Sequence, residues 1–142
     1  MTTPLRQTAL IYDFDGTLAR GNMQETSFIP AIGMTPRQFW HDTVRPEVIR
    51  SDGDDILMYM QLMLEKARQA GLTVTRDMLR EHGRDVPLFP GIADRSWFER
   101  INAFGAQYGL RIKHFIISSG LYEMIEGCPI FPEFEHVFAS RY

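Results

Sequence analysis

The sequence predicts an α/β fold: a doubly wound parallel sheet into which an α-helical subdomain is inserted. Short apolar runs that end in polar residues alternate with helical patterns, and the first connection between strands is far longer than a parallel unit requires. The chain has 142 residues, of which 44% are apolar and 23% are charged, as in an ordinary globular domain. Its formal net charge of −3 disfavours binding to nucleic acids or anionic membranes through bulk charge.

The first predicted strand covers residues 9–14, where the apolar run ALIYDF ends in carboxylates and Gly16 follows as a breaker. Residues 19–86 show no strand pattern, and we assign them to the helical insert. The insert contains three helical patterns, which are a start at the capping box of Thr35 and Gln38, a helix over 55–70 and a helix over 75–83.

Residues 87–142 return to the alternating pattern and complete the predicted core together with residues 1–18. An amphipathic helix comes first, and we expect its apolar residues to lie in the core: Ala93, Trp97, Ile101, Phe104 and Tyr108. A strand over 114–118, a turn into a short helix that ends at Gly127 and a strand over 136–140 complete the order.

The strongest chemical signal is the run Asp13-Phe14-Asp15-Gly16-Thr17 at the end of the first strand. The carboxyl end of a parallel strand is where α/β proteins bind ligands. Two acids spaced by one residue suit a nucleophile or metal ligand beside a proton donor. Gly16 permits a sharp turn, and the Thr17 hydroxyl is suited to a phosphate.

The second signal is Ser118-Ser119-Gly120, at the end of the predicted strand over 114–118. Hydroxyls and free backbone N–H groups at a turn from strand to helix form an anion site. Because parallel strands present their carboxyl ends at one edge of the sheet, we expect this segment beside Asp13 and Asp15.

These motifs carry a resemblance to a known family. DFDGT after ALIY, a helical insert and then FIISSG resemble the haloacid dehalogenase (HAD) superfamily, with its Rossmann-like core and helical C1-type cap. The resemblance implies a phosphohydrolase in which Asp13 attacks phosphorus and becomes an aspartyl phosphate, while Asp15 protonates the leaving group and then activates water. It also implies Mg²⁺ bound by Asp13 and Asp15, with Ser118, Ser119, Gly120, Gly16 and Thr17 around the phosphate.

Two features of the superfamily are absent after Ser118, namely the motif III lysine and the motif IV acidic pair. We therefore expect the chain to be the N-terminal portion of a longer phosphatase, truncated after motif II. In the superfamily the motif IV strand lies beside the motif I strand. Without that partner, the strand over 9–14 is expected to present an open edge and to favour self-association.

The expected function is hydrolysis of a small phosphorylated metabolite with Mg²⁺ as cofactor, in the cytoplasm and without nucleic-acid or membrane partners. The alternatives are a degenerate relative that binds phosphate or a partner without turnover and, within the superfamily, a phosphomutase or a dehalogenase. A dehalogenase is disfavoured because carbon–halogen displacement does not need the acid Asp15. The roles of Glu25, Arg45 and Arg50 stay open between substrate contacts and solvated surface charges.

Overall fold

Three parallel strands form the sheet in the computed structural model, which describes residues 6–142. The strands β1 (Arg6–Tyr12), β2 (Leu110–Leu121) and β3 (His136–Ser140) pair in the order β1-β2-β3. The parallel pairing is as predicted, and β3 has the predicted bounds. Residues 1–5 of the predicted core lie outside the described residues.

Seven α-helices connect these strands within residues 6–142. They are α1 (Phe28–Ala31), α2 (Pro36–Phe39), α3 (Arg45–Ser51), α4 (Asp55–Gln69), α5 (Arg76–Arg84), α6 (Ser96–Gln107) and α7 (Tyr122–Gly127). The predicted capping box is present, since Gln38 N–H donates to Thr35 Oγ1 and Thr35 N–H donates to the Gln38 side chain. No helix in the described part of the chain is long and apolar enough to cross a membrane.

A π-helical turn over Trp40–Val44 lies between α2 and α3, and short 3₁₀ turns cover Met23–Glu25 and Phe131–Glu133. Helix α4 has nearly the predicted bounds, and Asp54 caps it by accepting a hydrogen bond from Leu57 N–H at 2.9 Å. Its buried face consists of Tyr59, Met60, Leu62, Met63 and Ala67, whereas Leu64 is exposed.

The second strand is longer than predicted. The sequence predicts a turn at residues 119 and 120, but β2 continues to Leu121 before α7 begins. The extension carries an irregularity between Ile117 and Leu121, and Leu121 pairs with Ser140 of β3. Pairing with β3 therefore prolongs the strand past the point where hydroxyl-rich residues predict its end.

The predicted packing face of α6 is wrong. Trp97, Phe104 and Tyr108 are 39%, 56% and 68% exposed, respectively. Phe98 is the buried aromatic residue instead, and a Cβ added to Gly105 would lie 2.6 Å from Ile112 Cδ1 of β2. Helix α6 thus packs on the sheet through Gly105. Hydrophobicity alone predicts burial of the bulkier face, which carries Trp97, Phe104 and Tyr108.

The chain enters and leaves the helical insert through two adjacent segments. Ala19 and Leu88 form an antiparallel bridge, Phe89 N–H donates to Leu18 O at 3.0 Å, and Arg20 N–H donates to Pro87 O at 2.7 Å. These backbone hydrogen bonds tie the two connections together between residues 18–20 and 87–89. The domain bounds at 18/19 and 86/87 stay predictions.

Helix α5 lies in the predicted insert but packs against α7, which follows β2. Arg76 and Arg80 both hydrogen bond Glu126 of α7, with closest distances of 2.9 and 2.7 Å. Hydrogen bonds from Arg80 and Arg76 lower the pKa of the Glu126 carboxyl to about 2. Glycines at the crossing, Gly83 and Gly127, allow the two backbones to approach closely.

One face of the sheet is apolar and exposed. Ile11, Ile117 and Phe138 are 61%, 56% and 58% exposed, whereas Ile116 and Val137 on the opposite face are buried. Among the described strands β1 also occupies an edge, as expected. Parallel sheets are ordinarily covered on both faces, and exposed apolar patches of this kind mark contact surfaces.

We expect the protein to self-associate through this region and Ile11→Lys to weaken that association by about tenfold or more, because a charge at a strand edge opposes pairing. Sedimentation velocity over a range of concentrations measures the effect. Leu57→Lys, on an exposed position of α4, is the matched control. A wild-type protein that stays monomeric at all concentrations would contradict the expectation.

Candidate active site

The motif loop follows β1 directly, so Asp13 is the first residue beyond the strand. Phe14 is fully buried, and its carbonyl accepts hydrogen bonds from the backbone N–H groups of Thr17, Leu18 and Ala19. Gly16 has φ of +75°, a conformation that favours glycine. Anchoring of Phe14 and the turn at Gly16 therefore fix the loop that carries both acids.

The two acids differ in environment. Asp13 is exposed, and its Oδ1 accepts a hydrogen bond from Phe14 N–H at 2.8 Å. Asp15 is partly buried, and its Oδ1 accepts from Met23 N–H at 2.8 Å. Burial raises the pKa of Asp15 to about 6, with smaller contributions from the charges of Asp13 and Glu25 opposing the Met23 hydrogen bond. Asp15 can therefore exchange a proton near neutral pH, as a general acid or base must.

Gly120 brings β2 against the motif loop. A Cβ at this position would lie 2.2 Å from Met23 Cε and 3.1 Å from Asp15 Oδ2. The close approach leaves no room for a side chain between the strand and the acid. A Cβ here would displace the end of the Met23 side chain and crowd the Asp15 carboxyl, so glycine favours this close approach even though its φ is ordinary.

The hydroxyl segment is held by hydrogen bonds of its own. Gly120 N–H donates to Ser118 Oγ at 3.0 Å, and Leu121 N–H lies 3.2 Å from Met23 Sδ. These two N–H groups are therefore not free, in contrast to the expected anion-binding turn. The phosphate-binding roles of Ser118, Ser119 and Gly120 stay predictions.

Helix α4 of the insert reaches this segment through Tyr59. The Tyr59 hydroxyl donates to Ser119 O at 2.7 Å, and Ser140 Oγ donates to the same carbonyl at 3.1 Å. Burial and the nearby charge of Asp15 raise the pKa of Tyr59, so the phenol stays protonated and keeps this hydrogen bond. The insert therefore contacts the site through the hydrogen bond from Tyr59 to the Ser119 carbonyl.

A cavity of about 520 Å³ lies between the motif loop and the insert. The structure brings three predicted site residues to its wall, namely Asp15, Ser119 and Gly120, whereas Asp13, Gly16, Thr17 and Ser118 lie outside the lining. The insert contributes the remaining residues of the wall, which are Asn22, Gln24, Trp40, Val44, Arg45, Val48, Ile49, Asp55, Ile56 and Tyr59.

The structure distinguishes between the three residues whose roles the sequence leaves open, which are Glu25, Arg45 and Arg50. Arg45 lines the cavity, but Arg50 does not and instead pairs with Glu47 through its Nε at 3.0 Å. Glu25 accepts a hydrogen bond from Asn22 Nδ2 at 2.7 Å and contributes to the raised pKa of Asp15. Sequence reasoning missed Gln24 and Trp40, because neither belongs to a recognisable motif.

The donors near the motif loop are compatible with Mg²⁺. Residues 6–142 contain no cluster of three or more His, Cys, Asp or Glu side chains suited to a metal. Mg²⁺ retains several waters and is commonly bound by one or two carboxylates together with substrate phosphate. Asp13 and Asp15 are close enough for the charge of Asp13 to raise the pKa of Asp15, so a cation held by the Asp13 carboxylate and the Asp15 backbone carbonyl would offset this charge.

The raised pKa of Asp15 gives a stability prediction. Because the pKa of the carboxyl is about 6 in the folded protein and 3.8 otherwise, the contribution of Asp15 to folding stability is greatest below about pH 4 and is lost as pH rises through about 6. Asparagine does not ionise, so Asp15→Asn removes this loss of stability. Its side-chain oxygen can still accept the hydrogen bond from Met23 N–H. We expect the variant to be more stable than wild type by roughly 3 kcal/mol above about pH 7, and equally stable below about pH 4.

Urea denaturation across this pH range in the presence of EDTA measures the difference, and Asp52→Asn is the exposed control. A constant difference between Asp15→Asn and wild type at all pH values would contradict the assignment.

Comparison with solved structures decides the fold. A HAD family hydrolase from Salmonella enterica subsp. enterica serovar Typhi superposes with a TM-score of 0.64 and 18% identity, over 97% of this chain and 42% of that one. The chain has the HAD fold. L-2-haloacid dehalogenase from Xanthobacter autotrophicus, with chloropropionic acid covalently bound, superposes with a TM-score of 0.47 and 15% identity, over 92% of this chain and 56% of that one.

Sequence comparison adds one relative. An uncharacterized protein of Borreliella burgdorferi is 29% identical over 143 residues, which cover 94% of this chain and 49% of the relative. The chain thus spans about half the length of the curated relative that it matches. No protein-family model matches the chain.

Proposed function

We propose that the protein is a Mg²⁺-dependent phosphohydrolase that cleaves a small phosphate ester through an aspartyl phosphate on Asp13. The observation that carries the proposal is the contrast between two neighbouring acids on a HAD fold. Asp13 is exposed, whereas Asp15 has a pKa near 6 and faces the cavity. An exposed carboxyl group suits the nucleophile, and a partly buried one whose pKa is raised towards neutral suits the general acid and base.

In the first step an oxygen of the Asp13 carboxylate attacks phosphorus, and the bond between phosphorus and the ester oxygen breaks. Asp15 donates its proton to the departing oxygen, which leaves as an alcohol. In the second step water attacks the aspartyl phosphate, Asp15 accepts the water's proton, and the bond between phosphorus and Asp13 breaks. Inorganic phosphate and both carboxyl groups in their starting states result.

Mg²⁺ would be held by the Asp13 carboxylate and by the backbone carbonyl of Asp15, with water and substrate oxygens as further ligands. When bound, it neutralises charge on the phosphoryl oxygens, which is the main requirement of phosphoryl transfer. Gly120 keeps β2 beside Asp15, and Tyr59 holds Ser119 through its carbonyl, so both residues maintain the shape of the pocket.

An acid at position 15 with a pKa raised towards neutral favours this reaction over carbon–halogen displacement, in which a halide leaves without a proton. Release of phosphate from p-nitrophenyl phosphate and of chloride from 2-chloropropionate, each measured with Mg²⁺ and with EDTA, separates the two reactions. We expect phosphate release that requires Mg²⁺ and no chloride release. Binding of phosphate without turnover, or chloride release, would overturn the proposal.

A further inference from the structure

Among the described residues that line the cavity beside Asp15, Arg45 is the only cation. Arg45 is the first residue of α3 and is exposed. Its guanidinium makes no salt bridge or hydrogen bond with any residue within 6–142, whereas Arg50 of the same helix is paired with Glu47. The guanidinium of Arg45 therefore keeps its hydrogen-bond donors available to a ligand in the cavity.

The backbone that leads to Arg45 has an unusual conformation. Trp40–Val44 is a π-helical turn, and the backbone N–H of Arg45 closes it by donating to Trp40 O. Such turns are rare and occur frequently at functional sites. Because the extra residue of a π turn changes which residues of the following helix face a given side, this turn sets the position of Arg45 in the cavity wall.

Aliphatic side chains accompany Arg45 in the wall that the insert contributes. Val44, Val48 and Ile49 belong to the π turn and to α3, and Ile56 belongs to α4. Ile49 is 72% exposed, so apolar surface at this end of the cavity faces water. A hydrocarbon segment of a ligand would remove that surface from water, which favours binding.

The negative charges at the cavity have other roles. Asp15 belongs to the motif loop, and the charges of Asp13 and Glu25 contribute to its raised pKa. Asp55 lies in the first turn of α4, where the helix dipole stabilises an acid. Arg45 therefore offers one uncompensated positive charge, which matches a single carboxylate. A second phosphate would bring a charge of about −2 to the same wall as Asp55 and fits less well.

We propose that Arg45 binds a carboxylate on the leaving group of the substrate, and that the substrate is a phosphate ester of an aliphatic hydroxy acid. The planar guanidinium donates two parallel hydrogen bonds to the carboxylate oxygens. The hydrocarbon segment packs on Val48 and Ile56, and the phosphoryl group lies towards Asp15. This assignment rests on the proposed phosphohydrolase function.

Calorimetric titration of Asp13→Asn protein in the presence of Mg²⁺ tests the assignment without turnover. The ligands are the phosphate monoesters of ω-hydroxy acids from 3-hydroxypropanoate to 6-hydroxyhexanoate, each paired with the ester of its primary amide. The amide has nearly the same size as the acid but no charge, and the series covers different separations between phosphate and carboxylate. Because a hydrogen-bonded ion pair is worth about tenfold or more in affinity, we expect at least one acid to bind about tenfold more tightly than its amide.

Arg45→Gln removes the charge from an exposed position, so the fold should be retained. In the Asp13→Asn background we expect this variant to lose the preference for the acids while the amides bind as before, and Arg45→Lys to keep part of the preference. Arg68→Gln removes an exposed arginine of α4 outside the cavity and is the matched control for net charge. Equal affinities for acid and amide at every chain length, no binding of any ester, or the same loss in Arg68→Gln would overturn the proposal.

Turnover of the same esters by the wild-type protein distinguishes this inference from the function on which it rests. Phosphate release from acids and amides with equal kcat/KM, together with equal affinities, would refute the carboxylate site and leave the phosphohydrolase intact. A binding preference that Arg45→Gln abolishes, without phosphate release by the wild type, would support the carboxylate site and refute hydrolysis.

Discussion

Gly83→Ala is expected to destabilise the protein by about 3 kcal/mol and to lower Tm by roughly 10 °C. The added Cβ would lie 1.9 Å from the carbonyl oxygen of Met124 in α7, and a backbone atom cannot move aside as a flexible side chain can. The crossing is reciprocal, because a Cβ on Gly127 would lie 1.9 Å from the carbonyl oxygen of Arg80. The two helices must separate to accept either substitution.

Gly83→Ala is expected to lower the stability of the protein even though Gly83 lies inside a helix. In an isolated helix alanine is favoured over glycine by about 1 kcal/mol, so helix propensity alone predicts stabilisation. Thermal unfolding of Gly83→Ala and Gly127→Ala measures the outcome. Gly53→Ala is the control, since its nearest neighbour is the Ser51 side chain and its φ is ordinary. Variants at the crossing that are as stable as Gly53→Ala would show that the helices are not in backbone contact.

Asp13→Asn is expected to reduce phosphate release by about 10³-fold or more, the scale seen when a nucleophile is removed. An amide oxygen is a poor nucleophile and does not form the aspartyl phosphate. The fold should be unaffected, because Asp13 is exposed and the asparagine oxygen can still accept from Phe14 N–H.

Phosphate release with Mg²⁺ and the free energy of unfolding are both measured for this variant, so that loss of activity is separated from loss of structure. Asp52→Asn, an exposed acid of the insert, provides the control. Phosphate release that persists in Asp13→Asn would show that Asp13 is not the nucleophile.

Strong local signals predicted most of the fold. The capping box at Thr35 sets the start of α2 whatever its tertiary context, and β3 follows an apolar run with clear boundaries. The acids of the motif loop were also predictable, because two carboxylates one residue apart at the end of an apolar strand indicate a nucleophile or metal ligand beside a proton donor. Parallel pairing followed from helices between the strands.

Features that depend on distant contacts could not be predicted. The exposed face of α6 reflects how Gly105 fits against Ile112, a contact that no local pattern encodes. The extension of β2 depends on pairing between Leu121 and Ser140. Gln24 and Trp40 belong to no motif, and their place in the cavity wall depends on how distant segments pack together.

The Gly83–Gly127 crossing bears on how this protein could be re-engineered. A designer who exchanges the whole segment between residues 19 and 86 for a foreign helical lid would also remove α5, and α7 would lose its closest neighbour. A graft that ends before Thr75, the N-cap of α5, keeps both glycines and the pairing of Arg80 with Glu126. Chimeras with new substrate preferences are therefore best joined at Thr75 rather than at the end of the insert.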